Sequence, residues 1–382
     1  MEPFISIIVP VRNMERTIGK TFQYLMKADY PRSKMEIIFS DGGSSDKTVS
    51  VIREYQKEHP FIKLIQIPNC PSPGFARTKA LQEAKGEFIF FTDGDCAPCS
   101  DWIYKILEVF NKEHKIGAVG GEIYTLRVDP GNLVEIYSEA FGFNRVSWRY
   151  GNLEESYYPD LHDLRPTEVC GHKAYFFVTA NVAYRKETVE ENERRFWDLP
   201  TGEDIDFGIR ARKNGWKFYF LPSASVEHMH RADLKALHKV WHSYGQAHPP
   251  LLNAHAKRCM EIIFQFMGKY PNHFILRFPC FLKSFVYIGN FHLMHLFGIF
   301  FTIFFILQWM FPFSFWIRFF AWMNLPLFGF FTFRFFRTAF NIEPYHKWFP
   351  FAKMKYLTNL YFILGGLKGS FKHKTLCIEP SF

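Results

Sequence analysis

Through the first hundred residues the apolar positions come in short unbroken runs rather than at helical spacing, and each run ends on a polar turn. Phe4 to Val11 (FISIIVPV), Glu36 to Phe39, Ile62 to Gln66 and Phe88 to Phe91 are too short for buried helices, which predicts strands covered on both faces. Amphipathic spacing over Thr17 to Ala28, and a further stretch carrying Arg77 and Lys79, predict helices between them. Strand, helix, strand at this spacing requires a parallel crossover. Four such steps predict the nucleotide-binding half of an α/β sheet flanked by helices.

The chemistry gathers where these strands stop. Phe88 to Phe91 runs into Asp93-Gly94-Asp95, so two carboxylates sit just past a buried strand, where open α/β sheets keep their ligands. Two acids two residues apart, with Gly94 letting the backbone bend between them, suit a hard divalent cation that also holds the phosphates of a nucleotide. The second strand leads into Asp41-Gly42-Gly43-Ser44-Ser45-Asp46. There the Gly pair lets a planar ring or a ribose approach the backbone, Asp41 can accept its hydrogen bonds, and Asp46 or Ser44 caps the next helix. Read by itself, this is also a good helix-start loop. No GxGxxG follows the first strand and no GxxxxGK[ST] occurs, which argues against dinucleotide and P-loop sites.

These segments together resemble a family. VPVRN near the start, SDGGSSD after the second strand, Gly74-Phe75-Ala76-Arg77 and FTDGDC look like the nucleotide-sugar half of a family 2 glycosyltransferase of GT-A fold. Thr179-Ala180-Asn181 with Ala183-Tyr184-Arg185 resembles its acceptor-side loop, Gly202-Glu203-Asp204-Ile205-Asp206 with Arg210 its ED motif, and Glu227-His228-Met229-His230-Arg231 the segment that often brings a histidine near the metal. The resemblance covers roughly Phe4 to Gln246. It implies donor contacts from Pro10, Arg12, Asp41, Arg77, Asp93 and Gly94, with Asp41 at the base and Arg77 at the base or diphosphate. It implies Asp95 as a direct ligand of Mg2+ or Mn2+, Asp93 at the ribose or the metal, and either His228 or His230 completing the metal site. Asn181 falls on the acceptor side. Asp204 becomes the catalytic base, with Glu203 as its acidic neighbour at a helix start. Processive members carry a Gln/Arg-x-x-Arg-Trp segment after the base; this chain reads Lys239-Val240-Trp241-His242-Ser243-Tyr244-Gly245-Gln246, which points to single transfer.

The C-terminal third changes character. No acidic residue lies between Glu261 and Glu343, and most of the excess among 46 Phe follows Pro279. Phe285 to Met310 is long enough to span a bilayer and carries no formal charge, while Phe315 to Phe333 is interrupted by Arg318. Lys269, Arg277 and Lys283 precede the pair, and Arg334, Arg337, Lys347, Lys353 and Lys355 follow it, so both flanks are expected on the cytoplasmic side. Trp348 to Leu367 mixes aromatics with lysines and reads as an interfacial amphipathic helix. The competing reading is an aromatic-rich soluble helical subdomain. The net charge of +9 and pI near 9.0 sit beside this apolar part without a nucleic-acid motif, which favours membrane lipids over nucleic acid as partner. Seven Cys without framework spacing fit a reducing compartment, and Cys96-Ala-Pro-Cys99 has no second pair nearby. The first apolar run is too short, and lacks the basic lead-in, for a signal peptide.

The expected organisation is a catalytic domain over 1–235, divided at 100 into nucleotide-sugar and acceptor halves, a helical linker at the membrane surface over 236–283, a transmembrane helical hairpin over 284–335 and a juxtamembrane amphipathic segment over 336–382. The expected activity is inverting, metal-dependent transfer of one sugar from a UDP- or GDP-sugar to an acceptor hydroxyl on a lipid carrier, by an integral protein of the cell membrane whose catalytic domain faces the cytoplasm. A sugar-phosphate nucleotidyltransferase would share the sheet and the acid pair, and a membrane-anchored scaffold would need no chemistry.

Overall fold

The computed structural model describes residues 2–143, 145–147, 154–161, 164–170, 174–265, 274–280 and 283–380, so Lys269 among the expected cationic flanks lies outside the described residues. The chain divides into two compact units, one of residues 1–164 and 171–231, the other of 165–170 and 232–382.

The first unit alternates strands and helices as the apolar runs require. In order they are β1 (Ile5–Val11), α1 (Ile18–Met26), β2 (Met35–Asp41), α2 (Thr48–Glu58), β3 (Ile62–Gln66), α3 (Pro73–Glu83), β4 (Phe88–Phe91) and β5 (Cys96–Pro98). They continue with α4 (Trp102–Lys112), β6 (Ile116–Gly120), β7 (Ile123–Thr125), α5 (Leu133–Ala140), β8 (Ser156–Tyr157), β9 (Val182–Arg185), α6 (Glu203–Lys213), β10 (Lys217–Phe220) and β11 (Val226–His228). The large sheet has the order β3-β2-β1-β4-β9-β6-β10-β8. The first four strands are parallel, β9 runs antiparallel between β4 and β6, and β8 is antiparallel to β10. This is the expected mixed α/β sheet flanked by helices.

Alternation along each strand sorts side chains to two faces. Ile5, Ile7, Val9 and Phe90 pack with Phe22, Trp102 and Ile106 on one side, whereas Ile8, Ile89 and Phe91 pack with Leu81, Phe196 and Phe207 on the other. Each buried Phe contributes about 1.5–3 kcal/mol by leaving water, so β4 is held by both faces at once. The ladder between β1 and β4 ends at Ile8 opposite Phe91. Pro10 therefore lies past its last partner on that side, and the missing N–H leaves no bond unmade.

A second sheet, β5-β11-β7, closes the carboxyl ends of these strands. β11 runs antiparallel to β5 and sets His228 opposite Cys96, one residue beyond Asp95.

The second unit begins with α7 (Leu234–His255) and then turns to strand: β12 (Cys259–Phe264), β13 (Phe274–Pro279) and β14 (Ser284–Ile288). Helices α8 (Asn290–Met310), α9 (Phe315–Phe340) and α10 (Trp348–His373) follow, and β15 (Leu376–Ile378) completes a sheet of order β13-β12-β14-β15. Two expectations are corrected here. The stretch 236–283 is helical only as far as His255, and Phe285, read as the start of a membrane span, is a fully buried residue of β14. A buried strand and a buried helix are equally apolar, so the run of hydrophobic residues could not show where one stopped. The expected hairpin survives as α8 and α9, with Pro312 in the turn and Ser314 capping Ile317. Its apolar side chains are largely exposed, Phe313 at 98% and Trp309 at 77%.

Helices α7 and α10 meet at backbone contact. A Cβ on Gly245 would lie 2.0 Å from the Phe362 carbonyl oxygen, and one on Gly365 would lie 2.0 Å from that of His242. Pro249 and Pro250 sit inside α7 near this crossing.

Candidate active site

The acid pair stands where β4 stops, and its neighbours arrive from α3, α6 and β11. Asp95 is 2% exposed; its Oδ1 lies 3.5 Å from His228 Nε2 and its Oδ2 accepts from Arg231 Nη1 at 3.1 Å. Its own carbonyl accepts from the Met229 N–H at 2.8 Å, which fixes the register of β11 against it. Asp93, Asp95, Cys96 and His228 offer ligand atoms within 4.8 Å of one another. Two carboxylates and an imidazole suit Mn2+ or Mg2+. Burial, with Asp95 and Asp93 alongside, pushes the Cys96 thiol well up.

The two histidines are separated by geometry. His228 stands in the cluster, and its Nδ1 is buried with no partner among the described residues. His230 turns its Nε2 to the Thr125 hydroxyl at 2.9 Å, and burial, with His228 and Arg231 nearby, holds its pKa well below the usual histidine range.

Arg77, on α3, is buried and donates to Asp93 Oδ1 at 2.7 Å and to Glu203 Oε1. Burial opposes its charge, but Asp93, Glu203 and Asp204 more than offset this and raise it. Burial likewise pushes the Glu203 carboxyl up to about 7, against the pull of Arg77. Glu203 and Asp204 open α6 after Gly202, whose φ of 83° gives the turn that starts the helix. Three acids in that first turn, Glu203, Asp204 and Asp206, face the positive end of the helix dipole. Asp206 is buried and paired with Arg210 at 2.8 Å, which leaves Asp204 the half-buried carboxylate beside Arg77.

The remaining expected residues divide. Arg12 is exposed just past β1 and reaches the Cys70 carbonyl at 3.4 Å. Asp41 closes β2 with its carboxylate accepting from the N–H groups of Gly43 and Ser44, each at 3.2 Å. It thus shapes the loop, in which Gly43 takes φ 84°. The expected caps are displaced: α2 starts at Thr48, whose N–H donates to Asp46 Oδ1, while Ser44 turns to Asp41. Gly94 is needed for room: a Cβ there would meet Val11 Cγ1 at 2.8 Å, and its carbonyl accepts from the Thr17 hydroxyl at 2.9 Å. Asn181, expected on the acceptor side, is corrected. It is fully buried, accepts from Trp102 Nε1 and donates to the carbonyls of Glu122 and Ala224, each at 2.9 Å, and so clamps the sheets together.

Sequence reading passed over Arg231 as an ion partner of Asp95 and over the Arg77–Glu203 pair. Arg231 adjoins the histidines that were noticed, but only the pairing of β11 with β5 aims it at the acid pair.

Two family descriptions match the chain: glycosyl transferase family 2 over residues 6–191, and glycosyl transferase family group 2 over residues 131–336, more than half of it. A relative from Methanococcus voltae, the dolichyl N-acetyl-alpha-D-glucosaminyl phosphate 3-beta-D-2,3-diacetamido-2,3-dideoxy-beta-D-glucuronosyltransferase, is 28% identical over 64% of this chain and 72% of its own. Glycosyltransferase AglE of Haloferax volcanii is 27% identical over 57% of this chain and 64% of its own, slightly under two thirds. Among solved structures, the mannosyltransferase PcManGT from Pyrobaculum calidifontis, in complex with GDP-Man and Mn2+, shares the fold at 16% identity, with a TM-score of 0.51 over 97% of this chain and 88% of its own. Matched along its sequence by two family descriptions and alike in fold, the chain belongs to the family 2 glycosyltransferases of GT-A fold.

Proposed function

We propose that the protein transfers a single sugar, with inversion, from a nucleoside diphosphate sugar to an acceptor hydroxyl on a lipid carrier, using Mn2+ or Mg2+. The observation that carries this reading is the convergence of Asp93, Asp95 and His228 at the end of β4 with Asp204 held close by, next to the Arg77–Glu203 pair. The cation, held by Asp95, Asp93 and His228, supplies positive charge against the diphosphate as it leaves. Asp204 takes the proton of the acceptor hydroxyl while the acceptor oxygen forms its bond to the anomeric carbon and the bond to the diphosphate breaks. Arg77 fixes Asp93 and the start of α6 in one arrangement, so the carboxylates keep their spacing through the step. Pro10, Arg12, Asp41 and Gly94 lie along the carboxyl ends of β1, β2 and β4, on which the nucleotide would rest.

The lipid side of the proposal rests on α8 and α9. Both are long and apolar enough to cross a bilayer, and only 11% and 22% of their most apolar windows are buried. The M. voltae relative is named for a dolichyl phosphate-linked sugar, which supports an acceptor of that class here. Cationic residues flank the pair, which favours a cytoplasmic catalytic unit. Incubating the full chain with a panel of UDP- and GDP-sugars, Mn2+ and a polyprenyl phosphate-linked acceptor tests the reading: nucleoside diphosphate should appear with product. Pyrophosphate release would indicate a nucleotidyltransferase, and no turnover with any donor a scaffold.

A further inference from the structure

The second unit holds a group of reactive side chains that sugar transfer does not use. His248 on α7 and Cys377 and Glu379 at β15 and just past it offer an imidazole nitrogen, a thiol sulfur and a carboxylate oxygen within 4.8 Å of one another. His248 Nδ1 contacts Glu379 Oε1, and Cys377 Sγ lies 3.5 Å from the same oxygen. Cys377 and Glu379 are buried, and the second carboxylate oxygen of Glu379 is buried without a hydrogen-bond partner among the described residues. Cys170, also buried, enters from the short helical turn Pro166–Val169; its thiol donates to the His248 carbonyl at 3.4 Å and feels the charge of Glu379.

We propose that His248, Cys377 and Glu379, with Cys170 beside them, form a structural zinc site that fastens β15 to α7. A plain His–Glu ion pair accounts for the contact to Oε1 only. It leaves Oε2 buried and unsatisfied, which is costly for a charged group. A divalent cation between the groups removes that cost. A thiolate donor beside an imidazole and a carboxylate selects zinc, since hard magnesium and calcium do not take sulfur. Tetrahedral zinc with Zn–S of about 2.3 Å and Zn–N of about 2.0 Å sets its ligand atoms roughly 3.3–3.8 Å apart. The Cys377 Sγ to Glu379 Oε1 separation of 3.5 Å falls in that range, whereas the direct contact of His248 Nδ1 with the same oxygen is shorter and must open as the ion enters. On binding, the Cys377 thiol gives its proton to solvent as the sulfur–zinc bond forms. The converging donors come from residues 248 and 377–379, so a single ion would tie two segments distant in sequence.

The test uses the full chain, stripped with chelator, reloaded with zinc in excess Mg2+ and passed through a desalting column. About one equivalent of zinc should remain on the wild type. Cys377→Ser and His248→Ala should each retain at least roughly tenfold less, whereas Asp95→Asn should retain it all. Cobalt loaded in place of zinc should give a thiolate-to-metal charge-transfer band that Cys377→Ser lacks, and the wild-type spectrum decides even if a variant fails to fold. Zinc retained equally by Cys377→Ser, zinc lost from Asp95→Asn instead, or a cobalt complex without the thiolate band would each overturn the site.

Discussion

Arg77 and Glu203 form a buried ion pair between residues 126 positions apart, tying the helix that follows β3 to the first turn of the helix that carries Asp204. The other arm of the same guanidinium holds Asp93 at 2.7 Å, so one side chain sets the distance between the acid pair and the expected base.

Removing that guanidinium leaves a buried carboxylate alone. Arg77→Met should therefore destabilise the fold by about 3–5 kcal/mol in denaturant unfolding. The double variant with Glu203→Leu should regain part of the loss, because only the more exposed Asp93 then lacks its partner. A single-variant loss under about 1 kcal/mol, typical of an exposed pair, would contradict the burial argument.

If Asp204 takes the acceptor proton, Asp204→Asn keeps donor affinity and lowers kcat by roughly a hundredfold to ten-thousandfold. Glu203→Gln keeps a hydrogen-bond acceptor for Arg77 and should lower kcat much less. Donor binding measured calorimetrically separates the two roles: collapse of binding in Asp204→Asn with the fold intact would move the base elsewhere.

Glu203 also gives the stability a direction with pH. Its folded value of about 7 lies above the ordinary 4.5, so between those values the folded chain holds a proton that the unfolded chain has lost. Its contribution is complete below pH 4.5 and disappears as pH rises through 7. Tm of the wild type relative to Glu203→Gln should fall from roughly pH 5 to 8. A constant difference would show that Arg77 keeps the carboxylate ionised throughout.

Asp95 is the acid that meets both His228 and Arg231. Asp95→Asn should lower Mn2+-supported transfer by on the order of a hundredfold or more, since a bound cation supplies several kcal/mol of charge stabilisation. Circular dichroism should be unchanged. Turnover near the wild-type level would remove Asp95 from the metal site.

Gly365 has no room for a side chain, because its Cβ position is 2.0 Å from the His242 carbonyl oxygen. Gly365→Val should destabilise the second unit by about 3 kcal/mol or more, read as a lowered Tm of the full chain. Gly329, with nothing within 4 Å of its Cβ position, is the matched control, and Gly329→Ala should be neutral or stabilising.

The parts legible in the sequence were those where one local rule decides. Phe88–Phe91 could only be a strand, and a strand that stops on Asp93-Gly94-Asp95 presents acids at the sheet edge. What pairing in three dimensions decides was not legible. His228 and His230 are chemically alike, and the ladder of β11 on β5 sets which of them joins the acids. Asn181 sits in a motif segment, yet its amide meets Trp102, Glu122 and Ala224 only once β9 has inserted between β4 and β6. Strand β14 was hidden for a different reason: its apolar residues run on into those of α8, and a largely buried strand has the composition of a membrane span.

The prolines inside α7 alter what holds the second unit together. Proline has no N–H, so Pro249 and Pro250 cannot close the helical bonds to the carbonyls of Gly245 and Gln246. Those two oxygens face α10, where the Cβ position of Gly369 is 2.9 Å from the Gln246 oxygen and that of Gly366 is 3.8 Å from the Gly245 oxygen. Carbonyls released from one helix thus meet the Cα–H groups of another, an exchange of internal main-chain bonds for weak ones across the interface. Where main chain meets main chain there is no rotamer to change and take up a shift, so at these contacts the two helices move together, with Trp241 and His248 packed on Phe362 alongside.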